Sequence, residues 1–301
     1  MHVYIDRLGD GSRRTMRGAL DGIAAFLTDG KSDAEAYPWA TLRYCDSAKV
    51  KVELIARYKP STANKALAAL RGVLQECWRL GYMSAEDYHA AVDVKTIKSH
   101  TLPRGRALAS GEIAALMGAC GRDSSSAGSR DAALIAVLYG AGLRRSEAVA
   151  LDISDYNDET GELAIRGAKG RKDRLAYATN GSSAALGDWI GVRGRDSGAL
   201  FCNINKGGRI TIRRMTDQAV LHILRKRASE AGVSSFSPHD CRRSFISDLL
   251  DAGADISTVQ QLAGHSNIQT TARYDRRGEV TKQKAARLLH VPYTKRPPLN
   301  H

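Results

Sequence analysis

Helical periodicity is the strongest constraint on what this chain can fold into. Residues 61–80 (STANKALAALRGVLQECWRL) put Leu67, Leu70, Val73, Leu74, Cys77 and Trp78 on one face of a helix, with Gly81 as its C-cap. Residues 12–28 repeat the pattern through Met16, Leu20, Ile23 and Leu27, with Ser12 as the N-cap. Apolar faces of this kind must be buried against one another. The first hundred or so residues therefore predict a small helical bundle over 1–98. The stretch 95–107 (KTIKSHTLPRGRA) is basic, weakly periodic and interrupted by Pro103 and Gly105, so residues 99–107 read as a linker.

Helical patterning resumes after Ser110 (GEIAALMGAC) and again from Asp131 (DAALIAVLYGAG). Between 150 and 180 the texture changes. Two short strands are predicted near 162–166 and 174–178, flanking a turn rich in Gly, Lys and Arg. Helices return from about 212, and residues 292–301 read as a loose tail. The predicted class is mainly α (α+β). It comprises an N-terminal helical domain and a second, mostly helical domain over 108–291 with a small antiparallel sheet.

The chain carries 45 Lys+Arg against 32 Asp+Glu, a formal charge of +13 in 301 residues. Residues 1–100 hold 15 basic and 12 acidic side chains, and residues 101–301 hold 30 and 20. Such an excess points to a polyanionic partner, most simply nucleic acid, although net charge also serves only to keep a protein dispersed. The longest uncharged, mostly apolar run, Ala132 to Leu143, is well short of the ~18 residues of a membrane span. Charged residues Asp6, Arg7, Arg13 and Arg14 leave no apolar signal-peptide core. A cytoplasmic protein with no membrane partner is expected. The cysteines at 45, 77, 120, 202 and 241 are scattered, with no C-x-x-C pair and no zinc-finger spacing, so no metal site is expected. Cys77 reads as a small buried hydrophobe, and Cys241 as a poor candidate for a ligand or nucleophile.

Four segments carry chemistry as an ordered set. They are Gly142-Leu143-Arg144-Arg145-Ser146-Glu147 after an apolar helix, Lys169 in the basic turn, His239-Asp240-Cys241-Arg242 after Pro238, and Gly264-His265-Ser266 followed by Tyr274. Each alone has an ordinary explanation: an ion-paired arginine, a solvated turn lysine, a capping histidine, one tyrosine among 11. Together they resemble the tyrosine recombinase (phage integrase) family. G-A-G-L-R-R-S-E-A-V-A-L is similar to its first arginine box, H-D-C-R-R-S-F to its second, and L-A-G-H-S-N-I-Q-T-T-A-R-Y to the segment that ends in its nucleophile. The resemblance covers about residues 105–290 strongly and the N-terminal helices weakly. Cys241 and Arg243 stand where the family often has Leu and His, and Ala168 lengthens the run before Lys169, which leaves Lys172 as the alternative lysine.

The resemblance implies a DNA core-binding domain at 1–98, a catalytic domain at 108–291, and no arm-binding domain in front. It further implies a homo-tetramer on two double-stranded DNA sites, with accessory proteins as further partners. Residues 278–290 are the candidate for the helix linking subunits, or equally for one packed on its own subunit. The residue types suit transfer of a phosphodiester with no metal or other cofactor. Arg144 and Arg242 would grip the non-bridging oxygens as charge builds on them. Tyr274 would attack, with His239 accepting its proton, because a phenol is only weakly acidic. Lys169 would protonate the departing 5′-oxygen, His265 would hydrogen-bond the phosphate, and Glu147 would orient a basic partner. Arg166, Arg171, Lys172 and Arg174 of the basic hairpin, with Lys65 and Arg71 of the first domain, are candidate DNA contacts.

The leading expectation is a site-specific recombinase that cuts and rejoins DNA through a 3′-phosphotyrosine, in integration, excision or resolution of DNA elements. Two alternatives use the same fold: relaxation of DNA by a type IB topoisomerase, and a DNA-binding protein without catalysis.

Overall fold

A computed structural model describes residues 1–98, 105–167 and 173–278, together with 283, 286–290 and 292. The chain divides into two compact units, Met1–Pro103 and Arg104–His301.

The first unit holds helices α1 (His2–Asp6), α2 (Asp10–Leu27), α3 (Tyr44–Arg57), α4 (Pro60–Arg79) and α5 (Ala85–Val92). α4 is its spine and packs against the other four. Pro60 starts it, where a missing N–H costs nothing, and Leu67, Leu70, Val73, Leu74 and Cys77 are buried as the periodicity predicts. Trp78 departs from the expected face. It is 37 % exposed at the helix edge and stacks flat on Tyr88, with ring centroids 5.0 Å apart. α2 also begins earlier than expected. Its N-cap is Gly9, whose carbonyl takes the Ser12 amide, so Ser12 lies inside the first turn.

The second unit begins with α6 (Ser110–Arg122), α7 (Ser126–Gly140) and α8 (Arg145–Ala150). α7 starts at Ser126 because the Ser125 hydroxyl caps it, accepting from the Ala127 amide. Leu134, Ile135, Val137 and Leu138 of α7 are fully buried, and α6, α8, a later helix α9 (Gly181–Arg193) and α11 (Pro238–Asp251) pack around them. Strands β1 (Glu162–Ile165) and β2 (Arg174–Tyr177) pair antiparallel in the predicted place, with Ile165 opposite Arg174. A second antiparallel hairpin, β3 (Cys202–Ile204) with β4 (Ile210–Arg214), stands where only loop and returning helix were expected. The apolar–polar alternation of its second strand is confined to Ile210, Thr211, Ile212 and Arg213, and Ile212 is exposed, so the strand has no buried face.

α10 (Asp217–Glu230), α12 (Ile256–Ala263) and α13 (Ile268–Ala272) complete the unit. Arg227 of α10, 1 % exposed, is ion-paired with Asp131 of α7 and with Asp123 in the loop before it. Satisfied on several sides, this buried guanidinium ties α10 to the α6–α7 corner. A small apolar cluster of Phe245, Ile246, Leu250, Val259 and Ala263 joins α11 to α12, and Tyr274 packs against it. Among the described residues, no helix is long and apolar enough to cross a membrane.

Candidate active site

The site is built where three helix ends meet. α7 gives way to a reversal at Gly142, φ +62°, where a Cβ would sit 2.3 Å from the Phe245 ring. This close approach is open only to glycine. It buries Leu143 in the core and leaves Arg144 at the N-cap of α8. Glu147, one turn on, closes back on that arginine: Oε2 accepts the Arg144 amide at 2.8 Å and Oε1 accepts its guanidinium at 2.5 Å.

α11 is started by Ser237 and Pro238, and Asp240 accepts the Ser237 amide and hydroxyl at 2.9 and 2.8 Å. That cap fixes the first turn, so His239 and Arg242, three residues apart, share a face. Arg242 is 2 % exposed and donates to the carbonyls of Gly142 and Ala263. Arg144 donates to the next carbonyl, that of Gly264, at 2.9 Å. Both arginines are thus held by the free carbonyls at the C-terminal end of α12, the end that favours cations.

Gly264 ends α12 in the left-handed conformation (φ +59°), and His265 follows. The His265 Nδ1 lies 2.9 Å from the buried Thr271 hydroxyl of α13. Just past α13, Tyr274 brings its hydroxyl to 3.4 Å from His239 Nε2. The guanidinium of Arg243 lies over the Tyr274 ring, 5.3 Å from its centroid, and pairs with Asp240. Arg144, Arg145, Ser146, His239 and Arg242 line an open pocket of about 400 Å³.

The electrostatics suit an anion that must be attacked. Burial, then the Arg242, Arg243 and Arg144 charges, hold His239 below its ordinary value. Burial, then the Arg242 and Arg144 charges, pull His265 down to about 4. Both imidazoles are therefore neutral at pH 7, and a neutral ring is what can accept a proton from tyrosine. Burial and the adjacent Arg144 pull Arg242 down to about 9, which leaves it charged at neutral pH. Burial would raise Glu147, but Arg174 and Arg144 outweigh it and hold the carboxylate ionised.

The structure brings Arg144, Glu147, His239, Arg242, His265 and Tyr274 into one cluster. Lys169, Arg171 and Lys172 lie outside the described residues. Arg174, a candidate DNA contact by sequence, is turned inward: its side chain is 11 % exposed and its Nη2 donates to Glu147 Oε2 at 2.7 Å. The alternation of β2 explains this, since Arg174 shares a face with buried Ala176. Arg166 is exposed and ion-paired with Asp155, and Lys65 is exposed on α4. Arg71 is engaged within its own unit, donating to the Val94 carbonyl. Cys241 is fully buried, and burial pushes its thiol up to about 12, which removes it as a nucleophile. Sequence reasoning missed Thr271 and the contact of Arg243 with the Tyr274 ring. Both lie in motif segments, but only the packing of α13 on α12, and of Tyr274 beside α11, gives them a partner.

Residues 106–279 match the phage integrase family. The tyrosine recombinase XerD of Pseudomonas aeruginosa is 34 % identical over 226 residues, covering 72 % of this chain and 71 % of that protein. The tyrosine recombinase XerC of Alcanivorax borkumensis is 30 % identical over 270 residues, covering 87 % and 84 %. The fold is shared with the XerH site-specific recombinase bound to a palindromic difH substrate, at TM-score 0.68 and 19 % identity over 92 % of this chain and 80 % of that one. It is shared also with the Tn1549 transposon integrase in complex with a circular intermediate DNA, at TM-score 0.69 and 16 % identity over 96 % and 98 %. With the arginines, histidines and tyrosine of its own sequence gathered into one cluster, this chain belongs to the phage integrase family and is a site-specific recombinase enzyme of the tyrosine type.

Proposed function

We propose that the chain binds a specific site in double-stranded DNA and transfers strands through a covalent 3′-phosphotyrosine, with Tyr274 as nucleophile. The observation that carries this reading is the 3.4 Å approach of the Tyr274 hydroxyl to a neutral His239 beside two immobilised arginines. Tyr274 Oη attacks phosphorus, its proton passes to His239 Nε2, and the bond from phosphorus to the 5′-oxygen breaks. Lys169 gives the departing 5′-oxygen its proton. Arg144 and Arg242 neutralise the charge that grows on the non-bridging oxygens. A neutral His265 whose Nδ1 accepts a hydrogen bond from the Thr271 hydroxyl keeps its own proton on Nε2, to donate to the phosphate. The phosphotyrosine ester keeps the free energy of the broken bond, so a 5′-hydroxyl from a second duplex can rejoin the strand without an energy source.

In this reading residues 1–98 are the core-binding domain, 99–107 the linker, 108–291 the catalytic domain and 292–301 the tail. The working assembly is a homo-tetramer on two DNA sites, joined through residues 278–290, with accessory proteins where the site requires them. Leu288 and Leu289, 85 % and 81 % exposed, support a role for that segment in contacts between subunits. The recombinase–DNA complexes among the structural neighbours support a duplex partner.

The test uses a duplex selected by the full chain from a randomised pool, nicked so that the 5′-hydroxyl fragment diffuses away after cleavage. A protein–DNA adduct resistant to denaturant is expected from the wild type and absent from Tyr274→Phe. A selected duplex that is bound but never becomes attached would overturn the mechanism. Relaxation of supercoils of any sequence, with no exchange between sites, would replace recombination by a topoisomerase activity.

A further inference from the structure

Arg174 differs from Arg166 of the same hairpin, which is exposed. The Arg174 Nη2 donates to Glu147 Oε2 at 2.7 Å, on the carboxylate whose other oxygen holds Arg144 at 2.5 Å. Glu147 therefore bridges two guanidiniums, one from β2 and one from the start of α8. The shaft of Arg174 also lies against the turn that ends α12. A Cβ added at Gly264 would come within 2.6 Å of Arg174 Nε and 2.7 Å of its Cδ. That turn supplies the carbonyl gripped by Arg144 and leads directly into His265. The Nε and Nη1 of Arg174 are buried with no hydrogen-bond partner among the described residues. A guanidinium left in that condition costs stability. Neither the ion pair nor the packing needs an arginine's full fork, so the cost calls for a function.

We propose that Arg174 is a positioning residue for strand transfer: through Glu147 it sets the pose of Arg144 on the phosphate, and through Gly264 it braces the turn that carries His265. The proposal rests on the strand-transfer reading above and adds to it a third arginine that acts without touching the DNA. Loss of a single hydrogen bond to a bridging carboxylate is enough to let Arg144 swing, and misplacement of a gripping group by about 1 Å slows a reaction roughly 100-fold.

The test measures single-turnover adduct formation on the nicked, selected duplex for wild type, R174M, R174K, E147Q and the double variant R174M/E147Q. R174M is expected to slow attachment roughly 100-fold while duplex affinity in a gel shift stays within about 2-fold. R174K keeps the charge but not the fork and is expected to fall between R174M and wild type. Because part of the effect of Arg174 runs through Glu147, the step from E147Q to the double variant is expected to be smaller than the step from wild type to R174M. Losses that multiply in the double variant, or an R174M and an R174K that both react like wild type, overturn the proposal. So does recovery of R174M on a duplex with sulfur in place of the bridging 5′-oxygen, because a thiolate leaves without protonation and the defect would then lie in the leaving group. A wild type that forms no adduct brings down the strand-transfer reading itself, and with it this proposal. A reactive wild type with multiplying losses brings down the proposal alone.

Discussion

The Tyr274 hydroxyl lies 3.4 Å from the Nε2 of His239, a contact that joins the turn after α13 to the first turn of α11 across 35 residues of sequence. The chemistry of the pair depends on which partner holds the proton. Burial and the charges of Arg242, Arg243 and Arg144 settle it, by keeping the imidazole neutral at pH 7.

The rate of adduct formation should therefore be level through neutral pH and fall on the acid side. A proton acceptor works only when unprotonated, and His239 is held below its ordinary 6.5, so the acid limb should lie below that value. A profile over roughly pH 5 to 8 checks this, and an acid limb above 6.5 would contradict it. His239→Gln should remove the limb and slow the reaction roughly 100-fold.

Stability should decline over a related window. His265 is held at about 4 when folded and returns to 6.5 when unfolded, so the unfolded chain binds more protons between those values. Stability is full above 6.5 and falls as the pH drops towards 4. Urea midpoints measured across that range should shift less in His265→Gln than in the wild type, and equal shifts would exclude this source.

Glu147→Ala should unfold the site before it informs on chemistry. The carboxylate is 5 % exposed between Arg144 and Arg174, and its removal strands a buried guanidinium. The expected cost is about 3 kcal/mol, a fall in Tm of roughly 6–12 °C. Calorimetry tests it, and a shift under about 2 °C would mean that solvent reaches Arg174.

Gly264→Ala should hurt both folding and reaction. The residue is left-handed at φ +59°, and its new Cβ would meet Arg174 Nε at 2.6 Å. Backbone strain of about 1–2 kcal/mol is expected, with displacement of Arg174 or of the carbonyl that holds Arg144. Thermal melts read the first effect and adduct rates the second.

Thr271→Val keeps the buried volume but removes the hydroxyl 2.9 Å from His265 Nδ1. A bond of this kind contributes about 1 kcal/mol, so attachment should slow roughly 5-fold, while Thr271→Ser stays near wild type. Equal behaviour of the two variants would show that packing alone holds the imidazole.

The helices of the first unit were legible because their apolar faces repeat at helical spacing, and Leu67, Leu70, Val73 and Leu74 are buried accordingly. The β1–β2 hairpin was legible from its turn chemistry. The β3–β4 hairpin was not, since β3 is three residues long and the alternation of β4 covers only Ile210, Thr211, Ile212 and Arg213. Trp78 misled because a helical face has edges, and its ring found Tyr88 outside the core.

That Arg144, His239, Arg242, His265 and Tyr274 stand in short motif segments is written in the sequence alone, because each segment's neighbours set its local conformation. Their relations are not. That His239 meets Tyr274, that carbonyls 142, 263 and 264 hold the two arginines, and that Arg174 faces inward to Glu147 are decided by how α8, α11, α12 and β2 pack. Charge and polarity are written residue by residue. Desolvation and distance, which turn a histidine neutral and a surface arginine into a buried one, exist only once segments distant in sequence share one interior.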